Sequence, residues 1–365
     1  MLTPMIVGLI GLGLSGKTTV FNAVTRGDAE VGSFQSQKDA FHRGRVLVPD
    51  ARVDFLTEMS ESANVVYAEV EYFDVAGFSG EKDSASESDI PQVLRESDAL
   101  AHVVRAFAND SVAHPKGSIN IRRDIEALDE ELVFTDLILV ERRLDRVEKQ
   151  AKVVKDDKVR HEAEILKKVK DILEQNTPLR AVTLPPEEEK LIRGFRFLSE
   201  KPMLIIINIG EDQIDKIDAI KAEFADLKGK PNLDLAVICG KIEMELAQLP
   251  DDDRQSFMAD MGLKESALDV VIRKSYSLLG LISFLTTGDK ETRAWTIKRG
   301  STAQSAAGAI HADFERGFIR AEIVAYEDMK RCGSYPEVKK HGLMRLEGKT
   351  YIVQDGDVVV FRFNV

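Results

Sequence analysis

The residues with types and spacing suited to chemistry begin at position 11, where Gly11-Leu12-Gly13-Leu14-Ser15-Gly16-Lys17-Thr18 follows the pattern G-x-x-x-x-G-K-[ST]. Glycines at this spacing let successive backbone N–H groups turn inward and ring a phosphate, and a helix that follows presents its positive end to the same anion. Gly13, Leu14, Ser15, Gly16 and Thr19 would form the cradle. Lys17 would reach the β- and γ-phosphates of ATP or GTP, and the Thr18 hydroxyl would ligate Mg2+. The pattern means this only between a strand and a helix, and both are expected here: Met5–Ile10 is a short apolar run, and Thr19–Val24 reads as the first helical turns.

A second constellation is Asp74-Val75-Ala76-Gly77, at the end of an expected strand Tyr67–Phe73. D-x-x-G alone is mostly a turn, but downstream of a phosphate loop Asp74 would hold Mg2+ through a water. The Gly77 amide would sense the γ-phosphate, so Lys17, Asp74 and Gly77 form the candidate catalytic set. A third is Asn208-Ile209-Gly210-Glu211, following the apolar run Met203–Ile207. A guanine-nucleotide protein would carry N-K-x-D there. Asn208 can bond the purine N7 region, Ile209 lacks a lysine stem to lay over the base, and Glu211 changes the reach of the base-reading carboxylate. Guanine offers two donors to such a carboxylate and adenine neither, so selection for guanine is expected to be weak. Cys239-Gly240-Lys241, after the strand-like Leu235–Cys239, is placed for the base-binding loop.

The bulk of the chain limits the alternatives. With 365 residues there is room for two or three cores, and a net charge of −12 supplies no global field for nucleic acid or anionic membrane. Cys239 and Cys332 lie far apart with no metal-ligand spacing, as expected of a reducing compartment. No apolar run approaches a membrane span, so no membrane partner and a cytoplasmic location are expected.

The elements that must position these groups follow from periodicity. Val46–Val48 reads as a strand, Pro49-Asp50 as a helix start, and Asp98–Arg105 as another strand. From about Arg122 the pattern turns helical. Leu137, Val140, Leu144, Val147, Ala151 and Val154 recur at coiled-coil spacing, and Val159, Ala163, Leu166, Val169 and Leu173 repeat it beyond Asp156-Asp157. This predicts an antiparallel helical hairpin of which one arm, at roughly 30 residues, would project ~45 Å. Its far half is rich in Arg142, Arg143, Arg146, Lys149, Lys152, Lys155, Lys158, Arg160, Lys167, Lys168 and Lys170. Such a face is either solvated or a contact for phosphate backbone. Beyond Gly280, Arg293–Lys298, Ala321–Ala325 and Val358–Phe363 read as strands around a helix Thr302–His311 capped by Ser301 or Thr302, a small α+β module. His311 and Cys332 have no partner spacing and are read as structural.

The chain resembles the YchF-type, Obg-like ATPases of the translation-factor-related P-loop class. The most specific segments are Arg293-Ala-Trp-Thr-Ile297, Ala306-Ala-Gly-Ala-Ile-His311, Asp313–Glu322, Arg345-Leu-Glu-Gly-Lys349 and Asp355 through Val365, which look like that family's TGS domain, a β-grasp module. Asn208–Glu211 is similar to its N-x-x-E, and Ile238-Cys-Gly-Lys-Ile-Glu243 to its I-C-A-K-I-E. The resemblance implies an α/β, Ras-like doubly wound nucleotide domain (1–121 and 201–279), an inserted coiled-coil hairpin (122–200) and a TGS domain (280–365). It implies Mg2+-dependent hydrolysis of ATP, with GTP also accepted, and association with the ribosome or its subunits, with RNA contacts from the hairpin and TGS domain. Phe78 stands where Ras-like proteins use a water-orienting glutamine, so slow turnover is implied. The family loop usually reads G-L-P-N-V-G-K-S, whereas Leu14 replaces the asparagine here; Lys38 or a neighbour stands for its first-switch threonine, and residues 79–90 replace a glycine-rich run. These departures motivate a second reading, a nucleotide-gated adaptor with negligible hydrolysis. A conventional GTPase is the third.

Overall fold

Apolar runs that cannot alternate need cover on both faces, and the chain gives them a buried parallel sheet. The computed structural model describes residues 5–26, 30–33, 40–75, 92–109, 111–154, 156–261, 263 and 265–364. Gly77, Phe78, Lys38, Lys155 and the segment 79–90 lie outside the described residues. Strands β1 (Met5–Ile10), β2 (Glu30–Ser33), β3 (Ala40–Leu47), β4 (Asn64–Val66), β5 (Glu69–Val75), β6 (Ala99–Arg105), β7 (Met203–Asn208) and β8 (Leu233–Ile238) precede the C-terminal module. All but β4 form one seven-stranded sheet in the order β2-β3-β5-β1-β6-β7-β8. β1 pairs parallel with β6 (Leu9↔Ala101), β6 with β7 (Val103↔Ile206) and β7 with β8 (Ile206↔Ala236), while β2 and β3 are antiparallel. Every residue of β6 and β7 is buried. Strand β1, which feeds the glycine loop and then helix α1 (Lys17–Val24), is central, so the loop emerges at the carboxyl ends of the strands, where open α/β sheets bind their ligands.

Helices α2 (Ala51–Met59), α3 (Gln92–Glu96), α4 (Ile121–Val153) and α5 (Asp157–Glu174) follow in order. Asp50 caps α2 by accepting from the Arg52 N–H, as its position before the helix suggests. Helix α4 serves two cores. Its first turns place Ile125, Leu128 and Leu132 against Leu100, Val104 and Ile205 of the sheet. From Val133 onward, Val140, Leu144 and Val147 pack on Ala163, Leu166, Val169 and Leu173 of α5, together with Phe197. The hairpin's own core therefore starts one-third of the way along a 33-residue helix rather than at its first turn. The seam closes earlier than its spacing implies: Val154 is 45% and Val153 84% exposed at the tip.

The C-terminal module is a mixed sheet. Strands β9 (Leu281–Thr286), β10 (Glu291–Lys298), β11 (Phe318–Ala325), β12 (Arg345–Glu347) and β13 (Asp357–Phe363) give the order β12-β11-β13-β9-β10-β4. The helix Ala303–Ile310 lays Ala303, Ala306 and Ala307 over Phe284, Ile323 and Phe361, and its cap is Thr302, whose hydroxyl accepts from the Ser305 N–H. The chain forms two compact units, Ile6–Arg45 with Glu71–Leu278, and Val46–Val70 with Leu279–Val365. Sequence places 46–70 with the nucleotide domain; the structure groups it with the C-terminal strands, because β4 pairs parallel with β10 (Asn64↔Glu291) and the Ser62 hydroxyl donates to the Gly288 carbonyl.

Candidate nucleotide-binding site

The glycine loop owes its path to two positions that admit no side chain. Gly11 has φ +154°, and a Cβ there would lie 2.4 Å from the Val103 carbonyl oxygen of β6. Gly16, the cap of α1, has φ +85°, and a Cβ would lie 2.3 Å from Asn208 Nδ2. Gly13 meets no such neighbour. Leu14 takes a left-handed φ of 63° with a side chain 58% exposed, a conformation that costs a branched L-residue about 1 kcal/mol. It offers the site only its backbone and an apolar side chain. The Ser15 hydroxyl is buried without a hydrogen-bond partner.

Lys17 and Thr18 start α1 and turn towards Asp74 at the end of β5. The Lys17 ammonium donates to the Val75 carbonyl at 2.6 Å and sits 3.2 Å from Asp74 Oδ1, while the Thr18 hydroxyl donates to Asp74 Oδ2 at 2.9 Å. Asp74 is 4% exposed, and among the described residues its Oδ1 has no hydrogen bond beyond that ionic contact. A hydroxyl and a carboxylate, both hard oxygen donors at the rim of a phosphate cradle, suit Mg2+, which keeps most of its shell for water and phosphate oxygens. Thr19 follows in the first turn of α1, half-buried.

Asn208 ends β7 and ties two loops together. Its amide nitrogen donates to the Ser15 carbonyl at 3.1 Å, and its amide oxygen accepts from the Gly240 N–H at 3.0 Å. Ile209 goes the other way. It is 2% exposed within the sheet core, so its side chain is turned from any base. Cys239 is likewise buried against that core, and burial pushes its thiol pKa up. Glu211 and Lys241, both exposed, form an ion pair at 2.5 Å that raises the Lys241 pKa.

One neighbour carries no motif. Phe107, two residues past β6, lies with ring carbon Cε1 3.7 Å from the Cβ position of Gly16 and with its own Cβ 3.5 Å from that of Gly210. It therefore flanks the space between the phosphate loop and the Asn208–Glu211 loop, and it is half-buried. A single aromatic in a polar loop has no periodicity to announce it.

Much of the basic face of the hairpin is neutralised by acidic neighbours: Arg143 pairs with Glu162, Lys149 with Asp145, Arg160 with Asp157, Lys167 with Glu148 and Lys170 with Glu141 on the two helices, and Lys168 with Glu188 beyond them. Exposed pairs of this kind add little to stability, because water and salt screen them. Among the described residues no helix is long and apolar enough to cross a membrane.

Comparison with known proteins agrees over nearly the full length. Residues 281–364 match the model of the YchF GTPase C-terminal domain, described as a protein of unknown function (DUF933). The chain is 41% identical over 362 residues to the ribosome-binding ATPase YchF of Bacillus subtilis (strain 168), covering 98% of this chain and 99% of that one. The protein of the same name from Escherichia coli O157:H7 is 39% identical over 363 residues, with the same coverage. The structure of the Schizosaccharomyces pombe YchF GTPase matches with a TM-score of 0.81 at 26% identity, covering 98% of this chain and 97% of that one.

Proposed function

The chain belongs to the YchF family, and from that membership we propose that it is a P-loop NTPase that binds ATP at least as well as GTP, hydrolyses the β–γ phosphoanhydride slowly and works on the ribosome or one of its subunits. The observation that carries the chemistry is the convergence of Lys17 and Thr18 on Asp74 beneath a glycine cradle clasped by Asn208. The arriving triphosphate takes Lys17 from its contacts with Val75 and Asp74, and backbone N–H groups of Gly13 to Thr19 line its oxygens. Thr18 and Asp74 would hold Mg2+, which neutralises charge on the β- and γ-phosphates.

Base selection follows from the two loops that Asn208 joins. Guanine needs a carboxylate free to accept from two ring donors; Glu211 is engaged by Lys241 at 2.5 Å, and the neighbouring Ile209 is turned into the core. Adenine makes no such demand. Slow turnover follows from Phe78, which has no group to orient a water. The names of the bacterial relatives support a ribosomal partner.

Single-turnover phosphate release tests the enzyme reading. Slow release with ATP, lowered by at least roughly two orders of magnitude in Lys17→Ala, is the result this reading predicts. Leu14, where the family carries asparagine, favours the adaptor as the alternative: tight binding with release unaffected by Lys17→Ala would establish it.

A further inference from the structure

Arg105 closes β6 and is 3% exposed, yet among the described residues it has no carboxylate partner. A buried guanidinium left without a counter-charge is costly, and carbonyl oxygens and an aromatic face are what this one finds instead. Its Nε donates to the Phe107 carbonyl at 3.2 Å and its Nη2 to the Val112 carbonyl at 2.9 Å. The guanidinium carbon lies 4.7 Å from the centre of the Phe107 ring. Its third nitrogen, Nη1, makes no hydrogen bond among the described residues, and Arg105 lines a small cavity with Leu12, Ser15, His102 and Asp124, behind the phosphate loop.

The loop that carries Phe107 is fastened at its far end too. The Lys116 N–H donates to His114 Nδ1 at 3.1 Å, which leaves His114 Nε2 to face Asp124 Oδ2, 3.1 Å away at the start of α4. Phe107 and Val112 are thus tied to Arg105 and His114 to α4, with the Phe107 side chain held beside Gly16 and Gly210.

We infer that Arg105 is a positioning residue for base recognition: stacked behind Phe107 and bonded to both ends of its loop, it holds that ring as the platform on which the purine of the nucleotide stacks. The inference rests on the nucleotide-binding reading above and adds a residue that touches neither base nor phosphate. Its signature is selective. Phosphate affinity belongs to Lys17 and the glycine loop, so loss of Arg105 weakens ligands that carry a base and spares those that do not. Loss of a desolvated cation–π contact and two hydrogen bonds to a loop corresponds to roughly tenfold or more in affinity.

The test is equilibrium binding of Mg·ATP and Mg·tripolyphosphate to full-length wild type, Arg105→Met, Arg105→Lys, Phe107→Ala and the Arg105→Met/Phe107→Ala double variant. Expected is ATP binding weakened about tenfold in both Arg105 variants, tripolyphosphate binding unchanged within about twofold, and no further loss of ATP affinity in the double variant beyond Phe107→Ala alone. Retained tripolyphosphate binding shows that each variant is folded; should Arg105→Met melt, Arg105→Lys, which keeps charge and bulk, carries the comparison. Equal loss for both ligands would make Arg105 a source of phosphate potential and overturn the inference. So would unchanged ATP binding, or losses that add in the double variant. Wild type that binds neither ligand would instead overturn the nucleotide reading.

Discussion

Asn208 shows how much one side chain settles. Buried to 4% exposure, it is the only described side chain that bonds both the phosphate loop, at the Ser15 carbonyl, and the base-side loop, at the Gly240 N–H. Removing it leaves a buried acceptor and a buried donor unpaired, a cost of about 1–3 kcal/mol each. Asn208→Ala is expected to weaken Mg·ATP by more than about tenfold in calorimetry and to lower the melting temperature. Asn208→Asp should be worse at the phosphate loop, because it turns a carboxylate oxygen towards the Ser15 carbonyl while keeping the acceptor for Gly240. At this scale the sequence was legible in naming residues that the fold brings together, Lys17 and Thr18 with Asp74 and Asn208 with the phosphate loop. It was silent on Phe107 and Arg105, whose contact arises from where β6 ends relative to loops distant in sequence. Ile209, expected from the sequence in the base-binding loop, instead turns its side chain into the sheet core.

Elements carry the titration behaviour. His102 lies mid-strand in β6, between Ile10 and Ile205, 1% exposed and, among the described residues, with both ring nitrogens unpartnered. Burial, with Arg180 nearby, lowers its pKa to about 3. A histidine that stays neutral when folded stabilises the fold fully above its unfolded pKa, near 6.5, and loses that contribution as pH falls towards 3. Asp136 on α4 acts in the opposite sense. It is fully buried, accepts from the Leu198 and Ser199 N–H groups at 3.0 and 2.7 Å, and burial raises its pKa to about 6, so its contribution favours the folded state below pH 3.8 and is lost as pH rises through 6. Substitution separates the two. Between about pH 8 and pH 5, wild type should lose about 2 kcal/mol through His102 that His102→Leu does not, read from denaturant unfolding at each pH. Equal losses would contradict the assignment. Strands β1, β5, β6, β7, β8, β10, β11 and β13 and the hairpin helices were foreseeable from their apolar patterns, β3 only at its end, and β2, β9 and β12 not at all; for β4, three residues, Asn64–Val66, carry no pattern, and only their pairing with β10 assigns them to the C-terminal sheet.

At the scale of the whole molecule, a protein of net charge −12 that engaged an RNA-rich partner would have to do so through local charge. Six basic residues of the hairpin already satisfy acidic neighbours and Arg142 is engaged as well, so that among the described residues Arg146, Lys152 and Lys158 remain as the candidates for an outside phosphate. Reversing those three to glutamate should reduce co-sedimentation with ribosomes and flatten its salt dependence by about one unit of log–log slope for each phosphate no longer neutralised, with nucleotide affinity unchanged within about twofold. Unchanged retention would make this face purely solvated. If the loop clasped by Asn208 and the Lys17–Thr18–Asp74 cluster form an ATP site with weak selection for guanine, calorimetric titration of Mg·ATP and Mg·GTP into wild type and Lys17→Ala will show it. ATP should bind wild type at least as tightly as GTP and bind Lys17→Ala at least roughly tenfold more weakly; GTP bound far more tightly than ATP, or affinity indifferent to Lys17, would rule such a site out.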